Sequence, residues 1–550
     1  MPKRVYQVLY KGFSCRKSTL FLFTEKVLFA LLSDIHFKCL CLRRIFNKVK
    51  TGCGATTIAI KNAENYVIAV PTTEIIENKC YPIEQSDKWS AQSKKAGLSP
   101  VRNLFGLYGN FTKALKDKLK EYLKGEGTKK IICTYNKIPK LIELINPKDF
   151  HLLVDEYHHF LKSYLFRDKA INGVLEHFRD FKSFCFMSAT PIPEDFQPVE
   201  FEDIEYKEVD WKDVETIQVL PYHTNKPYMI VTKIIKAYQE NGFIEVDGQK
   251  SKEAYFFVNS VTEIKKILTQ AELKDDDCRI ICAKNGTNEK TLGTDYHISS
   301  STDQSKKFNF ITSKSFEGVD YFSETGLCFI VSNSYSTHTL LSIEMDIPQI
   351  AGRIRTKENP FRNKLVHIFN TRSIDTYDTY KQMERDLERQ LQYAKERVQI
   401  YAHLSKGAKE QQRKEIEKSA SYIKYDKKTD SFTVNDMLIK IQLYNHKIMY
   451  CIYKSGYALK KEYERSGMKA NAVKWETVSA DYIDKAICTP TFRECLKRYI
   501  ELKEKNLLFG EIDEIESRYP FLREAIVKLG IPTLKRQRSI KAIKVLLENQ

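Results

Sequence analysis

"HLLVDEYHHF", residues 151–160, carries an apolar run straight into two adjacent carboxylates. Leu152, Leu153 and Val154 are followed by Asp155 and Glu156, which emerge together where the run ends. A short continuous apolar run of this kind reads as a buried parallel strand. Two like charges side by side at its carboxyl end are costly unless a cation neutralises them. Similar runs stand on both sides: RRIFNKV (43–49), YVIAV (66–70), KIICTY (130–135) and FKSFCFMSAT (181–190), with longer polar, helix-like stretches between them. That alternation predicts a parallel sheet with crossover helices, in which ligands bind at the carboxyl ends of the strands.

A second alternating block follows, with strands expected at EAYFFVNS (253–260), CRIICA (278–283), FNFITS (308–313), GLCFIVSN (326–333) and KLVHIFN (364–370). Between the blocks, residues 191–211 are acidic, proline-bearing and irregular, and read as a linker. Beyond residue 373 the pattern turns helical: residues 380–404 have apolar positions at helical spacing, and residues 419–434 suggest a hairpin around Lys427 to Asp430. The expected organisation is an N-terminal extension (1–42), a first α/β domain (43–200), a linker (201–224), a second α/β domain (225–372) and a mostly helical accessory domain (373–550).

The 550 residues suffice for roughly three or four domains. A composition 42% hydrophobic and 29% charged suits packed cores and argues against a disordered chain. The formal net charge of +18 favours polyanionic partners, nucleic acid first. The 13 cysteines are scattered singly, which fits reduced thiols in a cytoplasm, bacterial or that of a host cell. Cys39 with Cys41, and Cys278 with Cys282, lack the second pair that a structural zinc site needs, so no zinc is expected. The most apolar stretch, residues 18–32, is interrupted by Glu25 and Lys26, so no membrane association is expected.

TGCGATT (51–57) stands between a predicted strand and a helix-like segment. Glycines there let a backbone approach phosphates, and Thr56 stands where a loop hydroxyl would bind Mg²⁺. The phosphate-loop pattern requires lysine after its last glycine, yet Gly54 is followed by Ala55. Alone, the stretch reads as an ordinary strand-to-helix turn sooner than as a nucleotide site. Lys48 and Lys50 lie just before it; either is a candidate for the absent charge, or both are surface charges. Asp155 would hold Mg²⁺, Glu156 would orient and deprotonate a water, and His158 is poised to hydrogen-bond toward a neighbouring domain. Ser188 and Thr190, leaving a very apolar strand, can bond to that acidic segment.

Taken in order, these segments resemble the superfamily 2 helicases of DEAD/DEAH-box type. TGCGATT is similar to the Walker A loop, DEYH (155–158) to Walker B, and SAT (Ser188, Ala189, Thr190) to the third motif. TSKSFEGVD (312–320) resembles the fifth motif, with Gly318 and Asp320, and QIAGRIR (349–355) the sixth, with Gln349, Gly352, Arg353 and Arg355. The two-residue spacing of the arginines resembles herpesvirus-type origin-binding helicases and related phage or mobile-element proteins.

The resemblance covers residues 45–372. It implies two RecA-like domains with an ATP cleft between them. ATP and Mg²⁺ would be held by Lys48 or Lys50, Thr51, Gly52, Cys53, Gly54, Ala55, Thr56, Thr57, Gly318 and Asp320, with Thr56 and Asp155 on the metal. Catalysis would fall to Asp155, Glu156, Gln349, Arg353 and Arg355, and coupling to His158, Ser188, Ala189 and Thr190. Nucleic acid, DNA before RNA, would be gripped through Thr72, Thr134 and Thr312, after PTTE (71–74), TYNK (134–137) and the fifth motif. The implied function is an ATP-dependent helicase or translocase in DNA replication or recombination, with replication proteins as further candidate partners. A non-hydrolysing clamp or replication accessory and an RNA helicase are the alternatives. In the C-terminal third, residues 438–465 mix Tyr with Lys and Arg. They suit a stacking and phosphate-binding surface, or a core of tyrosines with solvated lysines.

Overall fold

The computed structural model describes residues 43–51, 53–81, 94–209, 211, 215–301, 303–372, 379–416, 421–426, 429–476, 492–504, 512, 515–516, 519–537 and 539–549. The N-terminal extension, Gly52, Cys39, Cys41 and Lys427 lie outside these residues.

The first sheet is built from β1 (Arg44–Asn47), β2 (Tyr66–Val70), β3 (Gly97–Leu98), β4 (Phe105–Leu107), β5 (Lys130–Thr134), β6 (His151–Asp155), β7 (Ser183–Ser188) and β8 (Glu205–Glu208). Its order is β3-β4-β5-β2-β6-β7-β1-β8, parallel except where β3 meets β4. The central strands are apolar along their middles because both faces are covered. Val67, Ile131, Leu152, Val154 and Phe186 pack on one side with Ile171 and Val174 of helix Tyr164–His177. Ile68, Ile132, Leu153 and Met187 pack on the other with Ala59, Ile75 and Ile76. Alternate residues of a strand point to opposite faces, so an unbroken apolar run is what a sheet sandwiched between helices requires.

The second body holds β9 (Gln218–Thr224), the hairpin β10 (Ile244–Val246) and β11 (Gln249–Ser251), then β12 (Glu253–Val258), β13 (Cys278–Ile281), β14 (Phe308–Ile311), β15 (Gly326–Ser332) and β16 (Lys364–Phe369). Another hairpin, β17 (Ile423–Asp426) with β18 (Ser431–Val434), precedes β19 (Lys469–Ala470) and β20 (Lys474–Glu476). The sheet runs β13-β14-β12-β15-β16-β9-β19, with β20 also on β9, and every pairing is parallel.

Two strands fall inside the segment read as linker. β8 pairs with β1 and closes the edge of the first sheet, and its four residues, Glu-Tyr-Lys-Glu, are too polar to signal a strand. β9 contains Pro221, which argues against a strand interior. The register resolves this. Lys469 and Asn471 donate to the carbonyls of Ile217 and Val219, so odd-numbered residues of β9 face that side. β19 pairs with residues 218–219 and β20 with 222–224, so Pro221 faces the gap between them and its missing N–H breaks no bond.

The segment after residue 373 is not one independent body. Helix Thr379–Ala402 packs on the β17–β18 hairpin through Ala394, Tyr401, Ile423 and Phe432. Helix Asp436–His446 then joins the core of the first body through Met437, Ile441 and Tyr444. A π-helical turn, Lys447–Ile452, leads to helix Gly456–Arg465, whose Leu459 and Tyr463 join the core of the second body with Ile452 and Tyr453. Tyr444, Tyr453 and Tyr463 are therefore core residues, whereas Tyr457 is exposed. Residues 478–550 form a separate unit, in which Tyr499, Leu522, Ala525, Leu534 and Ile543 make a helical core. No helix among the described residues is long and apolar enough to cross a membrane.

His367 of β16 is fully buried, with Nδ1 2.6 Å from the Tyr463 hydroxyl and Nε2 2.9 Å from Ser332 Oγ. Burial pushes its pKa down to about 3 from the ordinary 6.5. The fold holds it neutral while the unfolded chain protonates, so its stabilising contribution is complete above about pH 6.5 and is lost as pH falls toward 3. The urea midpoint should fall between pH 7.5 and 4.5 with a slope that includes about one proton from this site. In His367→Gln that component should disappear; equal slopes in the two proteins would contradict the assignment.

Candidate functional site

β1, β7 and β6 lie side by side, and their carboxyl ends carry the first group of site residues. Pairing of Asn47 with Ser188 brings the end of β1 level with that of β7, and pairing of Asp155 with Met187 does the same for β6. Lys48 follows directly. It is 5% exposed, and its Nζ lies 3.1 Å from Asp155 Oδ1 and 2.7 Å from Glu156 Oε1. Burial alone would lower the lysine pKa, but Asp155 and then Glu156 outweigh it and raise the value well above normal. Burial likewise works to raise the Asp155 pKa, and Lys48 and the Thr56 hydroxyl overcome it to hold the carboxyl below its usual range. Thr56 Oγ1 donates to Asp155 Oδ2 at 2.5 Å. Tyr135, buried beneath the pair, donates to the Asp155 carbonyl at 2.6 Å.

Two non-glycine residues at this spot adopt left-handed backbone, Val49 at φ 57° and Glu156 at φ 53°. For a β-branched residue such as Val49 this conformation is strained, and strain of this kind gathers at functional sites. It turns the chain out of β1 immediately after Lys48. Gly54 at φ 80° makes the next turn, and Thr57 N–H donates back to its carbonyl at 2.9 Å. Ala55 faces inward and packs in the core with Phe46 and Ala59, so its position is an apolar contact. Cys53 and Thr51 are half-buried. Lys50 does not join the carboxylates as Lys48 does: its Nζ sits 5.7 Å over the Trp211 ring, and that indole donates to the Lys48 carbonyl at 2.8 Å.

The second body meets this surface with the QIAGRIR segment. Gln349 Nε2 donates to Thr190 Oγ1 at 3.1 Å and lies 3.3 Å from Glu156 Oε2. Arg353, 4% exposed, donates to the carbonyls of Gln349 at 2.8 Å and Val319 at 3.2 Å. Burial, then the adjacent Arg355, pulls its pKa below the ordinary arginine value. Arg355 pairs with Asp320 at 2.8 Å and reaches to 3.5 Å from Thr51 Oγ1. Gly352 packs closely here: a Cβ at that position would come within 2.1 Å of Thr51 Oγ1 and force that side chain to move. Gly318, at φ 75°, lies against Ile75 of the first body and accepts from Asn78 Nδ2 at 3.0 Å.

A buried polar chain joins the two bodies. His158 Nδ1 is 2.8 Å from Ser188 Oγ, and its Nε2 is 2.8 Å from Glu317 Oε2 in the second body. Ser188 Oγ also receives the Thr190 N–H at 2.9 Å and lies 3.4 Å from Glu156 Oε2, while Ala189 is buried between the two hydroxyl residues. His159 Nε2 reaches the same Glu317 oxygen at 2.7 Å. Lys162 bonds both Glu317 Oε1 and Asp346 Oδ1. Sequence reasoning missed His159, Lys162, Glu317 and Asp346; the one available signal was the glutamate directly before Gly318.

Thr134 ends β5 and Thr72 lies two residues beyond the neighbouring β2, whereas Thr312 follows β14 in the other sheet. The Thr72 hydroxyl is buried with no hydrogen-bond partner among the described residues. Thr134 donates to Asn136 at 2.6 Å, and Thr312 to the Ile281 carbonyl at 3.2 Å.

No protein-family model matches this chain, and no curated protein sequence matches it significantly. Solved structures similar to it include S. cerevisiae Dbp5 bound to RNA and ADP BeF3, at 11% identity and TM-score 0.38 over 61% of this chain and 81% of that one. The DUF1998 helicase MrfA is similar at 12% identity and TM-score 0.36, covering 66% and 51% of the two chains. The Pyrococcus furiosus Hef helicase domain is similar at 12% identity and TM-score 0.33, covering 65% and 99%.

Proposed function

We propose that the chain is an ATP-dependent nucleic-acid helicase or translocase of the superfamily 2 type. The observation that carries this reading is the buried Lys48 held between Asp155 and Glu156, with Gln349 of the opposite body on Glu156. A lysine ammonium, a strand-end carboxylate pair and a hydroxyl on one of them are the donor set that a triphosphate and its metal require. Lys48, Thr51, Cys53 and the backbone from Gly54 to Thr57 would contact the phosphates of the substrate ATP. Thr56 and Asp155 would hold Mg²⁺, which when bound offsets negative charge on the phosphate oxygens. Glu156 is the group to accept a proton from the attacking water. Arg353 and Arg355 would stabilise charge on the transferred phosphoryl group from the second body, a role worth about 10³ to 10⁵ in rate.

Coupling to nucleic acid follows from the same contacts. Gln349 touches both Glu156 and Thr190, so separating the two bodies removes a partner from the base and from the third motif together. Nucleic acid bound across both bodies through Thr72, Thr134 and Thr312 would favour the joined state, mainly by phosphate contacts. The net charge of +18 suits this. The two-residue spacing of Arg353 and Arg355 supports a relation to herpesvirus-type origin-binding helicases and to phage or mobile-element proteins. With it comes DNA rather than RNA as the track, in replication or recombination, with replication proteins as partners. Ala55 in the lysine position favours one second reading, a non-hydrolysing clamp on the same fold.

Single-stranded DNA should stimulate ATP hydrolysis by the full chain, and more strongly than RNA of the same length. Glu156→Gln should cut the stimulated rate by at least about 10² while leaving binding of a fluorescent ATP analogue intact. Arg355→Ala should reduce turnover by about 10³ with nucleotide still bound. Absence of stimulated turnover in the unaltered protein would favour the clamp.

A further inference from the structure

The contact between His158, His159 and Glu317 holds more than a hydrogen-bonded bridge needs. Both imidazoles aim Nε2 at the same oxygen, Glu317 Oε2, from 2.8 and 2.7 Å. Both have Nδ1 tied to a buried serine hydroxyl, His158 to Ser188 at 2.8 Å and His159 to Ser163 at 2.9 Å. With Nδ1 bonded to a serine hydroxyl, each Nε2 meets the Glu317 oxygen either through its own proton or, as a lone pair, through a cation held between them. Two imidazole nitrogens and one carboxylate oxygen thus converge on a single point.

We propose that this triad is a binding site for a divalent transition-metal ion, Zn²⁺ foremost, that fastens the two parallel-sheet bodies to each other. Two imidazole nitrogens and one carboxylate oxygen form a recognised three-ligand set that leaves a position open. Tetrahedral ligand bonds of about 2.0–2.1 Å put donor atoms about 3.3 Å apart, so the nitrogens and Oε2 would part by about half an ångström to admit the ion. The serines supply the outer hydrogen bonds that orient ligating histidines. The second oxygen of Glu317 is held by Lys162, whose charge is in turn offset by Asp346, so the carboxylate can ligate through Oε2 alone. His159 is partly exposed and gives a path for entry. The cysteine spacings that argued against zinc say nothing about this site, because its ligands come from adjacent histidines and a glutamate more than 150 residues away.

The ion would bridge His158 and His159 of the first body to Glu317 of the second. This inference stands apart from the ATPase reading, since it needs only the triad.

The test is a Co²⁺ titration of tag-free, chelator-treated full-length protein, with Zn²⁺ affinity measured by competition against a chromophoric chelator. One equivalent of Co²⁺ should bind with d–d bands of nitrogen and oxygen ligation and without a thiolate charge-transfer band. His159→Ala and Glu317→Gln should each weaken Zn²⁺ binding by more than tenfold, and Zn²⁺ should raise the melting temperature of the unaltered chain but not of these variants. Ser163→Ala keeps all three ligands and should weaken binding about tenfold, which decides the matter if the ligand variants do not fold. No binding at 100-fold excess of ion over protein, a thiolate band, or unchanged affinity in Ser163→Ala with the ligand variants unfolded or equally tight would overturn the proposal. Absence of binding would assign the cation between His158 and Glu317 to a proton.

Discussion

The structure of the site depends on one buried ammonium. Lys48 stands between Asp155 and Glu156, and without it the two adjacent carboxylates at this strand end would lose the ammonium bonded to both. Removing one member of such an arrangement costs about 3–5 kcal/mol, because the partner left behind is a buried and unpaired charge. The backbone is arranged around this contact. Val49 takes up a left-handed conformation just after the lysine, and Glu156 does so just after the aspartate. The strand order puts β1 and β6 on either side of β7, so the lysine and the carboxylates converge above Ser188.

The contact between the two bodies is built on the far side of the same carboxylate. Glu156 faces Lys48 with one oxygen and Ser188 and Gln349 with the other. His158, two residues on, reaches across to Glu317, and Gly352 presses on Thr51. The carboxylates and the loop are thus within one or two hydrogen bonds of the opposite body. The segment 436–468 adds an apolar tie, placing Met437, Ile441 and Tyr444 in one core and Tyr453, Leu459 and Tyr463 in the other.

Much of this architecture is legible in the amino-acid sequence, for a physical reason. Strands covered on both faces must be apolar along their middles, so β2, β5, β6, β7, β12 and β15 announce themselves, and polar residues at their ends stand out against them. Elements under weaker constraint are not legible. β8 is a four-residue polar edge, and β9 tolerates Pro221 only because its neighbours leave a gap. The tyrosines of residues 438–465 carry two readings, core or binding surface, and packing assigns Tyr444, Tyr453 and Tyr463 to cores. Lys162 and Asp346 give no signal, since a charged residue declares its partner only when the fold brings the two together. Lys48 and Lys50 are equivalent as text. The register of β1 against β7 separates them, turning one toward the carboxylates and the other toward Trp211.

On this account Lys48 supplies the charge that the loop lacks at Ala55, and removing that charge tests it most directly. Nucleic-acid-stimulated ATP hydrolysis should be lost in Lys48→Ala and retained in Lys50→Ala. Hydrolysis at the unaltered rate in a folded Lys48→Ala protein would contradict the account.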